Sequence, residues 1–211
     1  MTELDKIIEL TAIIGVISFS ISGALTAIEK KFDIIGIIII GFTTAVGGGT
    51  IRDIIIPERN VFWVIEPIYI YMAIIGGIIA ILFRKKLQHL RTTLSLFDTI
   101  GLGLYTIIGV QVGIHFNLPG VSCVILGAVT GTFGGVIRDI LVNEVPLVFQ
   151  KEIYISISIL GGSIYYFTNY FFPGTAWVEL ASIAIIIILR LIVVKFEISF
   201  PTLSNKEKTK Q

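Results

Sequence analysis

Two similar stretches of the chain combine glycines with an adjacent arginine and aspartate. They are Gly47-Gly48-Gly49-Thr50-Ile51-Arg52-Asp53 and Gly134-Gly135-Val136-Ile137-Arg138-Asp139. Both lie in long apolar segments, where a glycine weakens a helix by about 1 kcal/mol relative to alanine and a charge is costly unless it is paired or meets water. Charge and flexible backbone at such positions are typical of an ion or solute path. These stretches are therefore the candidate functional site.

The composition places both stretches in a membrane. Of the 211 residues, 55% are hydrophobic and 15% charged, and the mean hydropathy is +0.93. A soluble domain carries about 25% charged residues, whereas the apolar residues here form blocks of about twenty, enough to span a hydrocarbon core of ~30 Å. The predicted fold class is an all-α polytopic membrane protein, multi-pass in the cell membrane. Heavy use of isoleucine favours a prokaryotic source.

Charge and cysteine content exclude some partners. A net charge of +1 is too balanced to indicate nucleic-acid binding. Cys123 is the only cysteine, so the chain has no disulfide framework and no cysteine-based metal site.

We predict seven membrane-spanning helices and a polar, disordered tail over residues 199–211. The spans run from about Ile7–Ile28, Asp33–Ile56, Val61–Phe83, Leu94–Ile114, Pro119–Val142, Leu147–Tyr170 and Trp177–Val194. Lysines and arginines concentrate on one side, in the loops after the first and third spans and after the last span. The positive-inside rule places that side, with the C-terminus, in the cytoplasm and the N-terminus outside.

The chain contains an internal repeat with an offset of 86 residues, since 138 − 52 = 86. At that offset Arg52-Asp53 falls on Arg138-Asp139 and Glu58 falls on Glu144. Each copy holds three spans, an odd number, so the second copy is expected to be inverted, with functional groups near the mid-plane. The predicted units are 1–92, the inverted 93–172, a seventh helix within 173–198 and the tail.

The glycines allow two interpretations. Small residues four apart, such as Gly41, Ala45 and Gly49, let helices pack closely. Three adjacent glycines instead occupy successive faces of a helix, which favours a kink or break in the second and fifth helices. Backbone carbonyls freed by a break, at Gly47, Gly48 and Gly134, would be candidate ligands for a monovalent cation.

The two Arg-Asp pairs also allow two interpretations. One is a structural ion pair that fastens a helix to its neighbour, and the other is a water-filled path lined by these charges. Adjacent residues point in different directions on a helix, so each arginine is expected to pair elsewhere. The candidate partners are Glu58, Glu66, Glu144 and Glu152.

Enzymatic function is disfavoured. Gly47-Gly48-Gly49-Thr50 lacks the lysine of a phosphate-binding loop. His89 and His115 are the only histidines, too few for a histidine-rich metal site, and Ser22-Gly23 is a weak signal for a serine protease. We therefore predict that the chain is not an enzyme and has no cofactor beyond a permeant potassium or sodium ion.

Seven spans, a three-plus-three repeat and a glycine triplet followed by Arg-Asp resemble the trimeric intracellular cation channel family, in its bacterial and archaeal branch. The resemblance covers about Leu10 to Leu191. It implies a homotrimer in membrane lipid, with one potassium- and sodium-conducting pore per subunit between kinked second and fifth helices. The matching pore or ion-binding positions are Gly47, Gly48, Gly49, Thr50, Gly134 and Gly135, and the matching pore-charge or gating positions are Arg52, Asp53, Arg138 and Asp139.

The chain departs from the family at two points. Phe133 occupies the position in the second copy that Gly47 occupies in the first, so the fifth helix is expected to kink less or differently. The fourth span has no lysine or arginine, so the voltage gating and lipid binding of animal members are not expected here. An alternative function is a secondary transporter of a small solute such as glycine, because an arginine beside a helix break can bind a carboxylate.

Overall fold

The computed structural model describes residues 3–84, 91–150 and 153–198. All regular secondary structure in these ranges is helical, which confirms the all-α prediction. The helices are α1 (Glu3–Glu29), α2 (Ile34–Ile55), α3 (Phe62–Ile65), α4 (Ile68–Phe83), α5 (Arg91–His115), α6 (Gly120–Leu141), α7 (Ile155–Phe171) and α8 (Ala176–Lys195), with a 3₁₀ turn at Leu147–Phe149. The predicted tail and Glu152 lie outside the described residues.

Among the described helices, five are long and apolar enough to cross a membrane by themselves, namely α1, α2, α5, α6 and α8. The predicted third and sixth spans correspond to α4 and α7, which have 16 and 17 residues. At 1.5 Å per residue they are only about 25 Å long, shorter than a hydrocarbon core of ~30 Å. Each follows a short helical turn, α3 or Leu147–Phe149, which the prediction had merged into the span. Seven full spans therefore remain a prediction.

Two long helices form the centre of the bundle. α1 packs against α2, α4 and α5, and α5 packs against α6, α7 and α8. Every residue of α5 between positions 101 and 110 is buried, because α5 has neighbours on several sides. α2 also packs extensively against α6, which brings the two glycine-arginine stretches onto neighbouring helices.

The glycines let α2 and α6 cross with their backbones in contact. A Cβ atom on Gly48 would overlap the carbonyl oxygen of Thr130, and one on Gly134 would overlap that of Thr44. These two contacts are related by the offset of 86, since 44 + 86 = 130 and 48 + 86 = 134. The two helices are antiparallel at this crossing, because Thr44 of α2 contacts Gly134 of α6 whereas Gly48, further along α2, contacts Thr130, further back along α6.

The remaining glycines of the triplet face other neighbours. A Cβ on Gly47 would lie 2.7 Å from Cδ1 of Ile137, and one on Gly49 would lie 2.5 Å from the ring of Phe62. Each of the three adjacent glycines therefore makes a different close contact, and packing alone accounts for the triplet.

The expected helix break at the glycines is wrong. α2 and α6 continue without interruption from Ile34 to Ile55 and from Gly120 to Leu141. The physical reason is that the glycines are enclosed by neighbours rather than facing an open cavity, so the helical backbone is retained around them. A bend within a continuous helix remains a prediction.

Candidate functional site

The charged site on α6 is centred on Arg138, whose side chain is almost completely buried. Its Nε donates a hydrogen bond to Oδ1 of Asp139 at 2.8 Å. Its Nη1 donates to Oδ1 of Asp98 on α5 at 2.7 Å and to Oγ of Ser22 on α1 at 2.8 Å. We call these four residues the Arg138 cluster. One guanidinium is balanced there by two carboxylates.

The charged site on α2 contains the equivalent pair in a different setting. Nε of Arg52 donates to Oδ1 of Asp53 at 2.7 Å, and Nε of Arg59 donates to the same oxygen at 2.6 Å. The guanidinium of Arg52 lies 5.5 Å from the ring centroid of Phe62, a favourable cation–π distance. We call Arg52, Asp53, Arg59 and Phe62 the Arg52 cluster. Two guanidiniums share one carboxylate there.

The aspartates also organise the chain that follows each helix. Oδ2 of Asp53 accepts a hydrogen bond from the backbone N–H of Phe62 at 2.9 Å, and Oδ2 of Asp139 accepts one from Leu147 at 3.1 Å. Phe62 begins α3 and Leu147 begins the 3₁₀ turn. A helical turn begins with unpaired N–H groups, so each carboxylate holds the next turn back against its own helix.

The expected partners of the two arginines were wrong. Glu58 and Glu66 are exposed, and Glu144 pairs with Lys30. Arg52 and Arg138 instead pair with the next residue along the chain. The Cβ atoms of adjacent helical residues diverge, but an arginine side chain is long enough to fold back along the helix end and reach its neighbour.

Three buried charged residues on other helices were missed. Asp98 lies in the predicted fourth span, and Glu179 and Arg190 lie in the predicted seventh; each is at most 2% exposed. The guanidinium of Arg190 lies 4.7 Å from the ring centroid of Tyr154. All three carried a readable signal, since an ionisable residue within an apolar span marks a functional site by default.

The remaining predicted site residues have distinct surroundings. Oγ1 of Thr50 accepts a hydrogen bond from Nε1 of Trp63 at 2.9 Å, which fastens α2 to α3. Gly135 has more free space around it than Gly134. The nearest atoms to a Cβ added at Gly135 are 3.5–3.7 Å away and belong to Tyr154, Arg138 and Asp98. Gly135 therefore faces the Arg138 cluster.

Two cavities open at opposite ends of the helix bundle. The cavity at the Arg138 end has a volume of about 390 Å³ and is lined by charged residues that include Asp98, Arg138, Asp139 and Arg190. The cavity at the Arg52 end has a volume of about 370 Å³ and is lined by residues that include Arg59, Gln111, His115, Tyr165 and Asn169. Among the described residues, α2 lines neither cavity and α6 lines only the one at the Arg138 end.

Comparison with known proteins relates the whole chain to bacterial membrane proteins. A family model described as "Glycine transporter" matches residues 9–85 and again 95–170, and the two matches begin 86 residues apart. The UPF0126 inner membrane protein YadS of Escherichia coli (strain K12) is 32% identical over 197 residues, covering 92% of this chain and 95% of YadS. The UPF0126 membrane protein YvgT of Bacillus subtilis (strain 168) is 37% identical over 158 residues, covering 74% and 78%.

Solved structures of the same fold are cation channels. The trimeric intracellular cation channel orthologue from Rhodobacter sphaeroides superposes with a TM-score of 0.86 at 30% identity, over 90% of this chain and 98% of that structure. A prokaryotic channel of the same type, crystallised in 0.5 M KCl, superposes with a TM-score of 0.85 at 33% identity, over 91% and 98%.

The fold and these matches define a multi-pass membrane protein of the channel and transporter class. The chain belongs to the trimeric intracellular cation channel family, in its prokaryotic branch, as its glycine and Arg-Asp motifs predicted. Since the solved structures are of channels, the prediction that the chain is not an enzyme is also confirmed.

Proposed function

We propose that the protein is a homotrimeric channel for monovalent cations, potassium and sodium, with one pore in each subunit between α2 and α6. The observation that carries the proposal is the buried Arg-Asp pair at each end of the α2–α6 crossing, with a cavity on the same side of the bundle as each pair. The similarity to solved cation channels supports it.

Each part of the site has a proposed role. The contact of Gly48 with Thr130 and of Gly134 with Thr44 closes the space between the cavities, and separation of the two helices there would open it. The carbonyls of Gly47, Gly48 and Gly134 would then line the path, and a bend of either helix at its glycines would free them to coordinate the passing cation. Thr50, Gly49 and Gly135 flank this constriction.

The arginine clusters are the proposed gates. Arg138 follows Gly134 by four residues and Arg52 follows Gly48 by four, about 6 Å along each helix. Because the helices are antiparallel, the two arginines lie on opposite sides of the crossing. Asp139 and Asp53 neutralise these arginines in part, which reduces their repulsion of a passing cation. We propose that the N-terminus lies outside the cell and the C-terminus in the cytoplasm, so the Arg138 cluster faces the cytoplasm.

Recording from the purified protein in a planar lipid bilayer tests the channel. With a KCl gradient, discrete unitary currents are expected, with a reversal potential close to that of potassium. One pore in each subunit of a trimer predicts up to three equal conductance levels. Asp139→Asn is expected to change the conductance or the open probability, while Glu197→Gln, beyond the end of α8, serves as the control.

The family model's description makes glycine transport the competing function. Vesicles containing the same protein preparation distinguish the two by the uptake of radiolabelled glycine. Saturable glycine uptake without unitary currents would contradict the channel, whereas unitary potassium currents without glycine uptake would exclude the transporter.

A further inference from the structure

A buried glutamate on α8 lies away from both arginine clusters. Glu179 is 1% exposed, and neither of its carboxylate oxygens has a hydrogen bond of good geometry among the described residues. Glu179 is the fourth residue of α8, near the Arg52 end of the bundle. A buried carboxylate is costly, and either a proton or a bound cation removes that cost.

The neighbours of Glu179 supply further oxygen atoms. The side chains of Gln111 on α5 and Thr11 on α1 lie close enough to Glu179 to interact with its carboxylate, though without good hydrogen-bond geometry, and the phenol of Tyr165 on α7 adjoins Gln111 and Glu179. Oε1 of Gln111 is itself buried and has no hydrogen-bond partner in the described part of the chain. The carboxylate of Glu179 and the amide oxygen of Gln111 are therefore grouped with two hydroxyl groups.

A route from solvent reaches this group of residues. Gln111 and Tyr165 both line the cavity of about 370 Å³ at the Arg52 end. The cavity wall thus contains two of the residues that surround Glu179.

The charge of the site selects the kind of ligand. One carboxylate among neutral amide and hydroxyl oxygens provides a single negative charge, which one monovalent cation neutralises. Calcium takes six to eight oxygen ligands and usually several carboxylates, and magnesium requires near-ideal octahedral geometry with retained waters. The donor set of all-oxygen ligands with one charge therefore fits sodium or potassium better than a divalent ion.

We propose that Glu179, with Gln111, Thr11 and Tyr165, forms a binding site for a monovalent metal cation between α1, α5, α7 and α8. The site is separate from the α2–α6 crossing. Its occupation would fasten α8, the helix outside the repeated units, to the rest of the bundle. The proposal does not depend on conduction by the protein.

Thermal unfolding of the purified full-length protein tests the site. The chloride concentration is held constant while choline is replaced by sodium or by potassium. A ligand that binds only the folded state raises the melting temperature in a saturable way. The wild type is expected to show such a rise with at least one of the two cations, and Glu179→Gln is expected to abolish it. Glu197→Gln makes the same change of charge on an exposed residue and is expected to retain the rise.

A second variant tests the same site in case Glu179→Gln does not fold. Gln111→Met keeps the charge but removes an oxygen ligand, and is expected to shift the half-saturating cation concentration upward about tenfold, as for the loss of one ligand-supporting group. A melting temperature equal in choline, sodium and potassium would overturn the proposal. A rise of the melting temperature with sodium or potassium that persists in Glu179→Gln would also overturn it. If the melting temperature rose only when the pH was lowered, Glu179 would bind a proton instead of a metal cation, and the proposal would be overturned.

The result is independent of the bilayer experiment. Absence of unitary currents together with a saturable, Glu179-dependent rise would contradict the channel and support the cation site. The reverse outcome would support the channel and overturn the site.

Discussion

The Arg138 and Arg52 clusters place the same Arg-Asp pair at the ends of α6 and α2, but they balance its charge in opposite ways. Arg138 lies between two carboxylates, Asp139 and Asp98. Asp53 lies between two guanidiniums, those of Arg52 and Arg59. The first cluster contains an excess of negative charge and the second an excess of positive charge.

The offset of 86 residues shows where the two ends diverge. Asp98 and Ser22, the partners of Arg138 on other helices, correspond to Ala12 and Ile108. Arg59 corresponds to Val145. The Arg-Asp pair and the backbone contact of each aspartate are common to both ends, while the third charged residue is not. The two ends of the proposed pore are therefore chemically different although the motifs are the same.

Removal of Arg138 is expected to cause the largest loss of stability, and removal of Arg52 a smaller one. Arg138→Gln removes the guanidinium that pairs with both buried carboxylates, Asp98 and Asp139, which costs about 3–5 kcal/mol. Arg52→Gln leaves Asp53 paired with Arg59, so a loss of about 1–3 kcal/mol is expected. The free energy of unfolding in mixed detergent micelles measures both. Equal losses would show that the two clusters do not differ as described.

Removal of an aspartate is expected to reverse that order. Asp53→Asn leaves two guanidiniums without a carboxylate, for which a loss of about 3 kcal/mol is expected. Asp139→Asn leaves Arg138 with Asp98 and Ser22, and is expected to cost about half as much. The same unfolding measurement applies. If Asp139→Asn proved the more damaging variant, charge balance would not govern the stability of these clusters.

The glycine crossing is expected to respond alike in both copies, in contrast to the charges. Gly48→Ala and Gly134→Ala each force a Cβ atom onto a backbone carbonyl and are expected to cost about 1–3 kcal/mol through overpacking. Gly135→Ala is the matched control, because a Cβ fits there at 3.5 Å or more; a change within about 0.5 kcal/mol is expected. A large loss for Gly135→Ala comparable to that of Gly134→Ala would refute the packing role.

The smallest effect is expected for the ion pair at the mouth of the Arg138-end cavity. Lys30 and Glu144 are paired there, and their side chains are 38% and 51% exposed. Water screens such a pair, so Lys30→Gln is expected to cost less than about 1 kcal/mol. Raising the salt concentration should remove most of even that difference, while the buried Arg138 cluster should be insensitive to salt. A strong salt dependence of the Arg138→Gln loss would mean that this cluster is open to water.

Much of the fold class could be predicted from the sequence, and the candidate site positions could be singled out. Blocks of apolar residues indicate membrane helices because the bilayer thickness sets their length. Gly48, Arg52, Gly134 and Arg138 could be singled out because glycine and charge are costly in such blocks. These are local properties of a helix and do not require knowledge of its neighbours.

Only the tertiary structure decided what these residues contact. The partners of Arg138 include Asp98 and Ser22, which are 40 and 116 residues away along the chain, and helix packing alone brings them together. The expected break at Gly47 to Gly49 was wrong for the same reason, since their contacts come from α6 and α3 rather than from a cavity. Sequence determined where charge and small residues lie within each helix. The faces that the helices turn toward one another determined which charges are paired and which glycines are enclosed.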